Sequence, residues 1–285
     1  MSINTLLEAI NLEQIEENIF RGVSQKLVGK RVFGGQVLAQ SLQAAQLTVT
    51  EDRVVHSMHG YFILPGDVNQ PIIYMVERLR DGGSFTTRRI TAIQSGKVIF
   101  NMAASFQKQE EGIEHQIDMP NVPMPNELIT DYELLELYKD QVLPITRAYL
   151  SLPRPIEFRP VEKNYILYDG NHEPLRHVWM KAKGGLPNNA NIHRAALAYA
   201  SDYNLLTTAM KPHPIAVDKV MLASLDHAMW FHRDFRMDEW LLYALDSPSA
   251  SNARGFTRGS VFDQSGRLVA SVVQEGLIRV LKEKK

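Results

Sequence analysis

Cysteine is absent from the chain, which excludes disulfides, thiolate metal sites and a cysteine nucleophile, and makes a cytoplasmic setting the default expectation. A dominant sign of charge is absent too. Thirty-one basic residues face 32 acidic ones, a formal net charge of -1 at pH 7. No overall field therefore favours nucleic acid or an anionic membrane surface, and an anionic ligand has to be held by a local patch. Neither nucleic acid nor stable membrane association is expected. The stretch from Met1 to Phe20 interrupts its apolar positions with Glu8, Glu13, Glu16 and Glu17, so no signal-peptide core or membrane-spanning helix is expected there. The C-terminal Leu281-Lys282-Glu283-Lys284-Lys285 matches no peroxisomal tripeptide. What is present is ordinary globular composition, 45% hydrophobic and 22% charged over 285 residues. That length favours two units over one.

Internal similarity supports the same division. Gln94-Ser95-Gly96 recurs as Gln264-Ser265-Gly266, an offset of 170 residues, and the same offset without a gap sets Thr87-Arg88 on Thr257-Arg258, Val98 on Leu268, Ser57 on His227 and Tyr61 on Phe231. In both copies alternating residues lead through a tight-turn signal into a second alternating run, which reads as an antiparallel hairpin. Gly82-Gly83 reads as a hairpin or bulge, since it lacks the helix and lysine of a phosphate loop. One helical segment precedes each sheet. After Gly34-Gly35, small or apolar residues recur at Val37, Leu38, Ser41, Leu42 and Ala45; after Pro187 and three asparagines come Ile192, Ala195, Ala196, Tyr199 and Ala200. Both show helical spacing, and the asparagines suit a cap. A helix followed by antiparallel strands, twice, predicts an α+β fold. The expected units are residues 1–110, a linker at 111–155 rich in proline and acidic residues, with a short surface helix around Tyr132 to Val142, and residues 156–285.

Three polar residues of the second unit stand where their neighbours predict apolar ones. Every second residue of one strand reads Leu268, Ala270, Val272, Gln274, Gly276, Ile278, while the 170-offset counterpart of Gln274 is Ala104. The fold does not need this amide, and if buried it needs partners; a strand-end glutamine bonded to backbone is the structural alternative. Asp202 lies late in a helix, where its charge is disfavoured by the helix dipole. It reads either as a solvated or capping residue or, if buried near Gln274, as a general base for a water. Ser224 is set against Val54. It lacks a nucleophile-elbow sequence, which leaves hydrogen bonding to a water or an ordinary strand role. His56, His59, His227 and His232 match no ligand spacing, so no metal is expected and hydrogen-bonding roles are.

Several segments, Val32-Phe33-Gly34-Gly35-Gln36-Val37, Arg80-Asp81-Gly82, Tyr199-Ala200-Ser201-Asp202, Asp226 to His232, Ser249 to Phe256 and Val273-Gln274-Glu275-Gly276, together resemble the acyl-CoA thioesterase II family, in order from about Leu6 to Arg279. The resemblance implies a double hot dog fold, with two antiparallel sheets each wrapping a central helix, and hydrolysis of fatty acyl-CoA, of medium to long chain, to free acid and coenzyme A. It implies that an aspartate, a hydroxyl and a glutamine orient a water, which map to Asp202, Ser224 and Gln274. Relatives often carry threonine where this chain has Ser224, which keeps the hydroxyl and loses the methyl that stiffens χ1. No metal or other cofactor is expected. Amides at a helix start, at Gly34 and Gly35, are candidates for holding substrate. Arg254 and Arg258 are candidates for the coenzyme's phosphates, or else solvated strand residues. Exposed sheet edges point to a homodimer or homotetramer. Two rivals remain open: a hot dog hydratase or dehydratase pairing His193 with Asp202, and a non-catalytic acyl-CoA binding or sensor protein.

Overall fold

The computed structural model of the chain describes residues 3–26, 31–163, 166, 170 and 172–282. The reading of the C-terminal tripeptide falls on residues 283–285, outside the described residues. The first half comprises α1 (Ile3–Ile10), β1 (Leu12–Glu16), β2 (Ile19–Gly22), α2 (Gly34–Gln46), β3 (Arg53–Phe62), β4 (Ile72–Asp81), β5 (Phe85–Gln94) and β6 (Lys97–Lys108). The connecting segment carries α3 (Asp131–Leu137) and α4 (Pro144–Leu150). The second half comprises β7 (Ile156–Pro160), β8 (Leu175–Ala182), α5 (Ala190–Ser201), α6 (Leu205–Thr208), β9 (Val220–Ser224), β10 (Asp226–Phe231), β11 (Leu241–Ser251), β12 (Arg254–Asp263) and β13 (Leu268–Val280).

The α+β expectation holds, with one addition: the two sheets are continuous. Their order is β1-β2-β4-β5-β6-β3-β10-β13-β12-β11-β8-β7, with β9 also on β13, and β3 and β10 zip the halves together. At that seam His59 pairs with Ala228 and Met58 with Met229. The order on one side mirrors the order on the other, as a duplicated unit joined edge to edge requires.

Strand pairing also corrects the repeat. Arg88 lies opposite Ala104, whereas Thr257 lies opposite Gln274, so Thr257, not Arg258, is the counterpart of Arg88. The offset is 169 upstream of the hairpin turn and 170 beyond it. The cause is the turn. Ile93 pairs with Val98 but Phe262 with Leu268, one residue more in the second copy. The first turn is a tight one with both Ser95 and Gly96 at positive φ, the pattern hairpin twist favours. By the same pairing Ser224 corresponds to Val55, and His227 to Met58.

The long helices lie antiparallel against each other, Gln46 of α2 donating to the Asn191 carbonyl of α5 while Gly35 meets the other end of α5. Ala195, Ala196, Ala198 and Ala200 are fully buried, which is what lets α5 approach so closely; enlarging one would overpack the core by about 1–3 kcal/mol. Asn189 caps α5 through its side chain, accepting from the Asn191 N–H at 2.9 Å. The helix expected in the connector is shorter than read and lies on the surface with one face buried. α3 ends at Leu137 and buries Leu134 and Leu135, and its Asp131 forms a buried ion pair with Arg154 at 2.7 Å.

Candidate active site

Asp202, Ser224 and Gln274 come from three elements, and backbone pairing brings the last two together. Ser224 ends β9 opposite Gly276 of β13. Leu225 then breaks the strand, its N–H donating to the Glu275 carbonyl, before β10 resumes at Asp226. The break leaves the Ser224 side chain facing Gln274, whose amide Nε2 donates to Ser224 Oγ at 2.5 Å. Gln274 is 1% exposed, so the amide has to be satisfied within the protein. On its other side, Gln274 Oε1 lies 3.0 Å from His227 Nδ1.

Asp202 caps the C-terminus of α5, where the dipole opposes its charge. Compensation comes from the other long helix. Phe33 at the N-cap of α2 has no side-chain acceptor, and Asp202 Oδ2 takes that role, accepting the Gly35 N–H at 2.9 Å. Glycine is needed at both first positions of α2. A Cβ on Gly34 would lie 2.7 Å from Asp202 Oδ2, and one on Gly35 would lie 2.2 Å from the Tyr199 carbonyl. The Gly35 N–H therefore holds the carboxylate, and the expectation that it faces substrate gives way to that role. The carboxylate sits deep, with one edge toward a cavity, and Oδ1 is buried without a hydrogen-bond partner. Burial pushes its pKa up to about 6, against the opposing pull of the Gly35 N–H, the Gln274 amide and the Ser224 hydroxyl. That value leaves most of the group ionised at pH 7 and close to the range where a general base is most effective.

The cavity holds about 850 Å³. Asp202 and Tyr203 stand on one side, Leu206 and Thr207 of α6 and Val220 and Leu222 of β9 line another, and Ile145, Ala148, Tyr149 and Leu150 of α4 close it. A smaller chamber of about 220 Å³ adjoins it at Arg31, Phe33 and Gly34. In the sequence α4 falls within the expected linker at 111–155, and nothing local marks it as a cavity wall. Arg254 and Arg258, by contrast, lie away from the cavity. They alternate with Gly255, Thr257 and Gly259, which are buried, and so face outward; Arg254 pairs with Glu275 at 2.8 Å and Arg258 with Asp246. Arginines that do reach the cavity are Arg31, Arg154 and Arg176. The His193–Asp202 pair required by a hydratase is not formed. The two stand nine residues apart on α5, about 13 Å along its axis, and His193 Nδ1 accepts the Met237 N–H.

Two half-sheets, each with its long helix, and a carboxylate, amide and hydroxyl gathered beside a mostly apolar cavity define a double hot dog protein with one candidate site. Comparisons give the class a family. A family model described as "Acyl-CoA thioesterase" matches residues 152–277 and one described as "Acyl-CoA thioesterase N-terminal domain" matches 24–107. The "Acyl-CoA thioesterase 2" of Haemophilus influenzae is 40% identical over 280 residues, 97% of this chain and 98% of the relative. The solved structure of acyl-CoA thioesterase II TesB2 from Mycobacterium marinum superposes with a TM-score of 0.81 at 42% identity, covering 98% of this chain and 100% of the other. A hot dog protein of Alicyclobacillus acidocaldarius shares the fold at a TM-score of 0.78 and 20% identity, covering 98% and 99%. The chain belongs to the acyl-CoA thioesterase family.

Proposed function

We propose that the chain hydrolyses medium- to long-chain fatty acyl-CoA by direct attack of a water held by Asp202, Ser224 and Gln274. The observation that carries this reading is the Asp202 Oδ1, a buried carboxylate oxygen with no protein partner, close to the Gln274–Ser224 pair and belonging to a residue that lines a largely apolar cavity. In the reaction Asp202 takes a proton from the water as its oxygen bonds to the thioester carbonyl carbon. Collapse of the tetrahedral intermediate breaks the carbon–sulfur bond, the thiolate leaves, and the proton on Asp202 returns to it or to solvent. Thioesters are activated enough for this route without a covalent enzyme intermediate, provided the water is positioned. Arg31, exposed at the rim, is the cation we assign to the coenzyme's phosphates in place of Arg254 and Arg258.

The acyl chain would run along β9. Ser224, Leu222 and Val220 share one side of that strand, and Leu222 and Val220 both line the cavity opposite α4. Val220→Trp is accordingly expected to lower kcat/KM for palmitoyl-CoA by about 10-fold or more while leaving hexanoyl-CoA nearly unchanged, measured by thiol release across saturated chain lengths. An equal loss at every length would reject this path, and binding without thiol release by the unaltered protein would favour the sensor reading. The proposal includes modules at residues 1–110 and 156–285, a cytoplasmic setting, and a homodimer or homotetramer. Assembly is supported by large apolar side chains exposed on strands, among them Tyr61, Met75 and Val98. Among the described residues no helix is long and apolar enough to cross a membrane.

A further inference from the structure

His227 is fully buried, and its side chain touches the site without facing the cavity. Desolvation lowers its pKa to about 4, so the ring is neutral at pH 7, with one nitrogen donating and the other accepting. Nδ1 lies 3.0 Å from Gln274 Oε1, and Nε2 lies 3.0 Å from Ser201 Oγ. Ser201 Oγ also reaches the Ala198 carbonyl at 3.0 Å and Met229 Sδ at 3.3 Å.

Two proton arrangements satisfy this chain. In one, Nδ1–H donates to Gln274 Oε1, Ser201 turns its single proton from the Ala198 carbonyl to Nε2, and the amide NH2 faces Ser224. In the other every direction reverses, the proton sits on Nε2, and Gln274 turns its oxygen toward Ser224 and Asp202. The ionised Asp202 decides between them. A carboxylate only accepts, and an amide oxygen turned toward it would be repelled, whereas the amide NH2 stabilises it, as it does here.

We propose that His227 is a positioning residue: its Nδ1–H tautomer, backed by Ser201, locks the carboxamide of Gln274 so that the NH2 group faces Ser224 and Asp202. This rests on the reading of those three residues as the holders of the water. The duplicated half supports it independently of that chemistry. Strand pairing places Met58 where the second half has His227 and Ala104 where it has Gln274, and both are buried. The strands fold without either polar group, and the two polar groups occur together.

The test compares His227→Leu, His227→Asn and Gln274→Ala on one acyl-CoA. Asparagine places an amide nitrogen where Nδ1 stands, so it restores the donor to Gln274 and abandons Ser201. His227→Leu is expected to lower kcat about 100-fold, the scale of a slightly misplaced reacting group, with KM nearly unchanged because His227 does not line the cavity. His227→Asn is expected to recover most of the loss. Equal damage from leucine and asparagine, or none from leucine while Gln274→Ala is crippled, would overturn the positioning role alone. An undamaged Gln274→Ala would instead sink the water-holding reading beneath it. Should His227→Leu fail to fold, nitrogen-15 NMR of the unaltered protein decides: a neutral His227 protonated on Nδ1 is expected, and a proton on Nε2 would refute the proposal.

Discussion

Asp202→Asn is expected to lower kcat by about 10²- to 10⁴-fold, the usual contribution of a general base, while making the protein more stable at neutral pH. Both effects follow from one burial. The ordinary aspartate value of 3.8 is raised to about 6 in the folded chain, with burial the largest cause. Folding therefore favours the protonated carboxyl. Below pH 3.8 the group is protonated in both states and opposes nothing. As pH rises toward 6 the unfolded state releases its proton first, and the folded protein is penalised by an amount that is complete above pH 6. The gap between the two values corresponds to about 3 kcal/mol, an upper figure because Asp202 is partly open to the cavity. Asparagine carries no charge and can still accept the Gly35 N–H through its amide oxygen. Thermal unfolding should thus show a higher Tm for the variant at pH 7.5 and little difference at pH 3.5. An active Asp202→Asn, or one less stable at pH 7.5, would contradict this account of the site. The unaltered enzyme should lose activity as pH falls through about 6, when Asp202 takes up its proton.

Gln274→Ala is expected to be the second most damaging change, lowering kcat by about 10²- to 10³-fold, the range for loss of one preorganised donor. Its amide restrains Ser224 Oγ and helps keep Asp202 ionised, so the substitution loosens the hydroxyl and pushes the base further toward its protonated form. KM should change little, because Gln274 does not line the cavity proposed for the acyl chain. The cost in stability should be about 1–3 kcal/mol, since the buried His227 ring loses its partner at Nδ1, whereas Ala104 of the first half lies against Met58. Steady-state kinetics with a denaturant titration separate the two quantities. A variant that lost stability and activity in proportion would mean that Gln274 serves packing.

Two of the three proposed site residues were legible because each broke the pattern of its own element. Gln274 interrupts an apolar strand face, and Asp202 stands at a helix end that disfavours it. What compensates Asp202 was not legible. The Gly35 N–H belongs to the start of α2, 167 residues away in sequence, and only the antiparallel packing of the two long helices brings it there. His227 was read as a hydrogen-bonding histidine, which it is, but a repeat offset one residue too long upstream of the hairpin set it against Ser57 and hid its exchange with Met58. The α4 wall was read as linker because prolines and acidic residues dominate that stretch and its few apolar residues gain meaning only once β9 faces them. Charge alone marks Arg254 and Arg258 in the sequence. Strand alternation, applied to the buried Gly255 and Thr257, would have turned them outward.

The proposal depends most on water being the direct nucleophile, and a single turnover with excess enzyme in oxygen-18 water tests that. One labelled oxygen is expected in every fatty acid released, with none in the protein. Unlabelled acid from the first turnover, with label appearing in the peptide that contains Asp202, would show the carboxylate attacking the thioester itself and would contradict the account.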